Sequence, residues 1–364
     1  MHMADALISP AVGGTMWVVT AGLIAYCARK LKRTMNDNLV PMMGVLGAFI
    51  FAAQMINFSI PGTGSSGHLG GGLILSVLLG PHAAFLVIAS VLTVQALFFA
   101  DGGLLALGCN IFNLGFFPAF IAYPFIYRLI VRGEYGTVRH VARQTPDKWP
   151  LGNRRGAWVA AIVAAVVGLQ LGAFSVVLET KASGISELPF GTFVLLMQPI
   201  HLAIGIVEGL ATAAVVAFVA RARPEAVDAA PVAMENKTHV RPVLIGLAIA
   251  ALVIGGAISW FASTHPDGLE WSIAKVTGKE KFSGSSDAVH QKLAAVQKKT
   301  AFLPDYGFKS AEAKNAPVEN GAAEAEKWPT VTAGTSVAGI VGGLITLVLA
   351  CLVGFALKAH RTKL

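Results

Sequence analysis

Apolar runs of about bilayer-spanning length recur along this chain, separated by short polar breaks. Nine can be read, at about 11–28, 39–58, 69–79, 81–99, 104–131, 157–178, 190–220, 242–262 and 335–357. Runs approaching the ~20 residues that cross a hydrocarbon core predict membrane helices, because a helix satisfies its own backbone in lipid. The stretch from Leu69 to Ala100 reads either as one long helix or as two. As one helix it would be about 46 Å long, against a ~30 Å core. Gly80-Pro81 lies in its middle, and such a pair breaks helices.

Charge decides between the two. Lys and Arg concentrate in the loops that stay in the cytoplasm. Basic clusters follow the first run ("RKLKR"), fill 132–156 (Arg132, Arg139, Arg143, Lys148, Arg154, Arg155), follow the seventh run (Arg221, Arg223) and end the chain ("KAHRTKL"). The intervening loops "NFSIPGTGSSG", "ADGG" and "ETKASGISELP" are poor in these residues. Two spans across 69–99 put every basic cluster inside. The expected fold is an all-α polytopic membrane protein of about nine transmembrane helices, seven plus two, with the N-terminus outside and the C-terminus cytoplasmic.

Composition agrees: 55% of residues are hydrophobic and only 13% charged, against roughly 25% charged in soluble domains. The mean hydropathy is +0.65. The net charge of +8 belongs to the inner loops and is no nucleic-acid footprint. Cys27, Cys109 and Cys351 lie in or beside apolar runs and read as buried thiols.

The chain divides into a first module (1–225), an Ala/Pro/charge-rich cytoplasmic linker (226–241) and a second module (242–364). The second module is two spans around a polar outer loop domain at 263–334, which holds nine Lys, nine acidic residues and no Arg. A long loop translocates largely regardless of charge.

This topology puts His2 and His68 on the same outer face. The chain begins "MHMADALISP", with no basic residue before Arg29, unlike a signal peptide. A free amine followed by Xaa-His offers unusual ligand chemistry. The amine of Met1, the amide nitrogen of His2 and an imidazole nitrogen of His2 close fused chelate rings on one divalent ion. His68 is a natural fourth nitrogen. A planar nitrogen set favours Ni(II) or Cu(II) over zinc or magnesium. Binding releases protons and weakens in acid. Met1 must stay in place with its amine free. Gly62, Gly64, Gly67, Gly70, Gly71 and Gly72 surround His68 and serve either close backbone approach to a ligand or turns and helix packing.

"MH" at the start, "NFSIPGTGSSGHLGGG", "LLGPHAAFLVIASVLTVQALFFADGGLLALGCNIFNLG" and "QPIHLAIGIVEGLATA" closely resemble the substrate-binding membrane subunit of energy-coupling-factor cobalt/nickel transporters. The resemblance covers most of residues 1–220. The second module, with "PDGLEW" and "LPDYGF", resembles the small accessory subunit of the same systems, here fused into one chain. The resemblance implies seven spans plus two, a metal site made by Met1, His2 and His68, and a bacterial inner-membrane location. It also implies partners: a transmembrane coupling subunit and two cytoplasmic ATPases beside the ion and the lipid bilayer. Members of the family usually continue "MH" with an Ile-Pro-Asp-Gly-like stretch; here Asp5 is kept but Ala4 and Ala6 depart from it.

Polar residues at membrane depth are functional candidates by default. Gln95, Asp101, Asn110 and Asn113, with Asn57, either orient the two histidines or hydrogen-bond between helices. His201 and Glu208, seven apart on one helix face, read as a structural polar pair or as a proton or metal relay. His82, His140, His239, His265, His290 and His360 read as solvated loop residues. No phosphate-binding G-x-x-x-x-G-K-[ST] occurs, so ATP hydrolysis would fall to partners. The ion is cargo, and no cofactor is expected. Nickel is the first expectation and cobalt the alternative. An intramembrane metalloenzyme would need an H-E-x-x-H helix or paired carboxylates. A passive channel would need rings of charge.

Overall fold

The computed structural model describes residues 2–36, 38–131, 154–186, 188–222, 240–279, 287–308 and 328–360. Met1, His140, His239, most of the linker and most of the basic 132–156 loop lie outside these residues. Among the described residues, six helices are long and apolar enough to cross a membrane, and two shorter apolar helices accompany them.

Helix α1 (Pro10–Thr34) starts on Ser9, whose hydroxyl accepts the Val12 N–H, with Pro10 in the first turn and Lys32 and Arg33 in the last. A proline in the first turn costs no intrahelical hydrogen bond, and terminal cations complement the helix dipole. Helix α2 (Leu39–Gln54) is buried along its length. A short hairpin follows, β1 (Phe58–Ile60) paired antiparallel with β2 (Ser65–Gly67).

The third apolar run departs from expectation. Helix α3 (Gly72–Leu79) has eight residues, about 12 Å of axis, which is less than half a bilayer core. Gly71 takes φ +77° at its start and Gly80 takes φ +80° at its end. The chain from His68 to Gly71 therefore runs non-helically into the bundle. Such backbone survives at depth only when protein satisfies it. Here the Glu208 carboxylate accepts the N–H groups of Gly70 (2.7 Å) and Gly71 (3.1 Å), and Gln54 Nε2 donates to the Gly70 carbonyl (2.8 Å).

Helix α4 (Pro81–Val94) ends in a π-type turn at Gln95–Phe99. Helix α5 (Leu107–Ile111) runs on into widened π-type turns over Phe112–Tyr127 that contain Pro118 and Pro124. Proline cannot donate to the ladder and displaces the preceding turn, which wider turns accommodate. Helices α6 (Arg154–Ser183) and α7 (Phe190–Ala222) form a tight hairpin. Gly205 and Gly209 of α7 lie against the backbone of Val166 and Ile162, the close approach that small residues permit in membranes.

The second module supplies α8 (Val240–Gly256), α9 (Gly268–Thr277), α10 (Ala288–Thr300) and α11 (Ala333–Ala359). Helix α11 packs along α2, with Gly342 against Phe51 and Gly44 against Cys351. Gly255 of α8 meets Gly339 of α11 backbone to backbone. Large apolar side chains such as Val18, Leu195 and Leu344 point outward, 75%, 74% and 59% exposed, as lipid-facing positions do.

The described residues of the polar 263–334 segment, read as a loop domain, include two helices. Asp267 caps α9 by accepting the N–H groups of Leu269 and Glu270, and Asp287 caps α10 by accepting that of Val289. His290, read as a solvated loop residue, is a 5% exposed residue of α10. His82, read likewise, sits in the first turn of α4 between the Tyr26 and Phe120 rings. A hydrogen-bonding role in the one case and ring packing in the other outweigh solvation.

Candidate metal centre

The N-terminal segment is fixed on the loop that joins α4 to α5. The Met3 N–H donates to Asn110 Oδ1 (2.8 Å), and Asn110 Nδ2 donates back to the Met3 carbonyl (3.2 Å). The Gly103 N–H reaches the same carbonyl at 2.9 Å. The Asp5 carboxylate accepts the Ala106 N–H at 3.0 Å. A side chain at position 103 would strike Asp5, so this close approach needs glycine. Both backbone polar groups of residue 3 are thus held, and His2 beside it is aimed.

The structure brings His2 and His68 together. Their rings stack with centroids 4.9 Å apart and planes 8° apart. The side chain of His2 is 7% exposed and its Nδ1 lies 3.2 Å from Asp101 Oδ1. His68 Nδ1 lies 3.0 Å from the Leu69 carbonyl. A carbonyl only accepts, so this Nδ1 carries the proton and Nε2 keeps its lone pair. Nε2 of both rings is buried and without a hydrogen-bond partner. For His68, a ring anchored through Nδ1 with Nε2 bare is the arrangement of a metal-ligating histidine. Burial holds both imidazoles well below their ordinary 6.5, at about 3, so both rings are neutral at neutral pH. Burial pushes the carboxyls of Asp5 and Asp101 up.

The second module covers this spot. The Ser66 N–H donates to the Pro266 carbonyl (2.8 Å), and the Ser66 hydroxyl to that of His265 (2.7 Å). The first turn of α9 thereby lies beside His68. His290 Nε2 donates to the carbonyls of Asp5 (3.0 Å) and Ile8 (2.9 Å). Gln297 Nε2 donates to those of Ala96 (2.9 Å) and Gly102 (2.8 Å). A cavity of about 710 Å³ remains, walled by His2, His68 and Asp101 of the first module and Asp267, His290 and Tyr306 of the second. His265 and Asn57 lie at its rim.

The remaining sequence-predicted residues are placed as follows. Gln95 donates to Gln54 Oε1 (2.9 Å), which continues to the Gly70 carbonyl behind His68. Asn113 donates to Glu179 Oε2 (2.8 Å) and contacts the Met3 sulfur at 4.0 Å. The backbone carbonyl of Asn57 accepts the Ser263 N–H. His201 and Glu208 do not form a pair. His201 Nδ1 donates to the Met197 carbonyl (2.8 Å) and its Nε2 has no partner, while Glu208 serves Gly70 and Gly71. Two helical turns, about 10.5 Å, separate them along the axis. His201 instead borders a void of about 10 Å³ beneath His68, which has room for one water. Asp267, His290, Gln297, Gln54 and Tyr306 were not picked out by sequence reasoning, although Asp267 with Glu270 three residues on carries a readable helix-start pattern.

Among the described residues, no group of three or more His, Cys, Asp or Glu side chains is arranged to hold a metal ion.

Comparison with known proteins is consistent with this architecture. Residues 2–226 match the family model of the CbiM cobalt uptake substrate-specific transmembrane region, and residues 241–359 match the PDGLE domain. The fused nickel transport protein NikMN of Rhodobacter capsulatus is 32% identical over 87% of this chain and 91% of its own length. The cobalt transport protein CbiM of Sorangium cellulosum is 29% identical over 63% of this chain and 95% of its own. The crystal structure of a truncated transition metal transporter superposes with a TM-score of 0.50 at 27% identity, covering 61% of this chain and 99% of that one.

Proposed function

Because the chain belongs to the CbiM cobalt uptake family and carries a PDGLE domain fused behind it, we propose that it captures a divalent transition-metal ion at the outer face of the membrane for import. It is a multi-pass membrane component of nickel/cobalt transport and not an enzyme. The ion is cargo, held by the Met1 amine, the amide and imidazole of His2, and His68. The observation that carries this reading is the stacking of two buried histidines, 66 positions apart in sequence, with Nε2 of His68 bare beside the His2 ring.

The chemistry follows from the donors. Only Nδ1 of His2 closes a six-membered ring with its own amide nitrogen, so loading requires that Nδ1 leave Asp101. His68 supplies Nε2 in its present tautomer. The amine and the amide must each lose a proton, which a strongly bonding ion enforces. Four nitrogens in a plane suit nickel, with cobalt the alternative cargo. Turnover then depends on a transmembrane coupling subunit and two cytoplasmic ATPases, with the N-terminus outside and the C-terminus inside a bacterial inner membrane.

Equilibrium dialysis of detergent-purified protein with nickel tests the site. The chain with its native start should bind one ion and show the visible absorption of planar nickel. A chain extended by a few residues before Met1, and His2→Ala, should bind none at the site, whereas a C-terminal tag should be neutral. Full binding by the extended chain overturns the assignment.

A further inference from the structure

His68 stands between two spaces. One is the large cavity that it shares with His2 and Asp101, and the other is the small void that it shares with His201. Asp267 borders both. His201 is 1% exposed. Its Nδ1–H is given to the Met197 carbonyl at 2.8 Å, so Nε2 carries the lone pair. That nitrogen is buried and has no hydrogen-bond partner. His68 is in the same state, with Nδ1–H on the Leu69 carbonyl and Nε2 bare. An orphaned buried nitrogen is costly, and a leucine would fill the same place on α7 without that cost.

The rest of the wall explains what the void suits. Leu114, Leu169 and Ile204 are apolar. Gly268 passes 3.4 Å from His201 Cε1 as measured from the side chain it lacks, and that side chain would strike Ile200. The polar side chains on the wall are His68, His201 and Asp267. All three offer lone pairs or negative charge, and none offers a free proton. Asp267 Oδ1 already accepts the N–H groups of Leu269 and Glu270. A water has two hydrogens and serves two such groups. A cation is attracted by all three.

We propose that His68 and His201 form a second station for the transported divalent ion, behind the capture site, with Nε2 of each ring as a ligand and the Asp267 carboxylate as the neighbouring charge. This rests on the capture site proposed above, which delivers the ion. Among the described residues no three such side chains form a cage, so two imidazoles hold the ion and water or peptide oxygens complete its shell. Imidazole pairs suit nickel and cobalt alike. With fewer nitrogens and no chelate ring, this station is the weaker of the two, as onward transfer requires. Transfer is a ligand exchange. His68 keeps the ion, and His201 replaces the three nitrogens of the first two residues. The amine and the amide then take back from water the protons they shed on capture, and no electron moves.

The test removes the capture chelate and measures what remains. The full chain carrying His2→Ala, dialysed against nickel, should bind one ion per chain, more weakly than the native chain and without the planar-nickel band. Adding His201→Leu should weaken this residual binding at least about ten-fold, the lower end of what losing a partner that merely orients a ligand costs. Adding His68→Gln should do the same. His201→Leu alone should keep the planar band and hold the thermal midpoint of the metal-free protein within a few degrees. If His2→Ala does not fold, the chain extended before Met1 serves as the same background. Absence of residual binding, or residual binding indifferent to His201, overturns the proposal. So does a crystal structure of nickel-soaked His2→Ala protein with a water only between the two rings. The native chain separates the two levels: a planar band there without His201-dependent binding in His2→Ala sinks the second station alone, and His201-dependent binding without a planar band in the native chain sinks the capture site alone.

Discussion

Two imidazoles stacked out of water have a measurable acid signature. Their ordinary value is 6.5 and burial brings both to about 3. Between those values the unfolded chain binds protons that folded His2 and His68 refuse. Their contribution to stability is intact above 6.5 and is lost as pH falls toward 3. The thermal midpoint of metal-free protein should therefore drop from about pH 7 to about pH 5, and His68→Gln should flatten that slope. A slope unchanged by the substitution would show that other groups govern it. At this scale the sequence singled out the two histidines that the structure stacks, because an Xaa-His start is a local pattern. His290 was misread, because its role depends on carbonyls of Asp5 and Ile8, and no local pattern announces contacts of that range.

Among the elements, the short α3 and the extended chain before it matter most. Glu208 accepts two buried N–H groups there. Glu208→Leu leaves both unpaired, at about 1–3 kcal/mol each. The expected result is a clear fall in thermal midpoint together with weakened nickel binding, since the segment that carries His68 loses its support. Glu208→Gln, which keeps an acceptor, should fall between. The six membrane-length helices were legible because lipid demands long uncharged stretches. The split of 69–99 was legible from Gly80-Pro81, but the shortening of α3 to eight residues was not. Hydropathy reports that a stretch is buried, and both a helix and a protein-satisfied extended chain are buried. Helices α9 and α10 were hidden for the opposite reason: their polarity matched that of a loop, and only the capping aspartates marked them.

At the scale of the whole molecule, the fused modules share one cavity. His290 and Gln297 of α10 hold both the N-terminal turn and the Gly102 loop. Removing both side chains should raise backbone amide exchange across residues 3–8 while leaving the α6–α7 hairpin unchanged, as mass spectrometry after deuterium labelling would report. Unchanged protection of residues 3–8 would show that the first module suffices to hold that turn.

That long-distance clasp also has a meaning in time. Asp5 is bonded by a residue 285 positions further along. On the ribosome the opening residues are made first, and their second-module fastening emerges late. Through most of translation residues 3–8 are held by contacts with residues 103–110 alone, and the cavity beside the two histidines gains its second-module wall only late in synthesis.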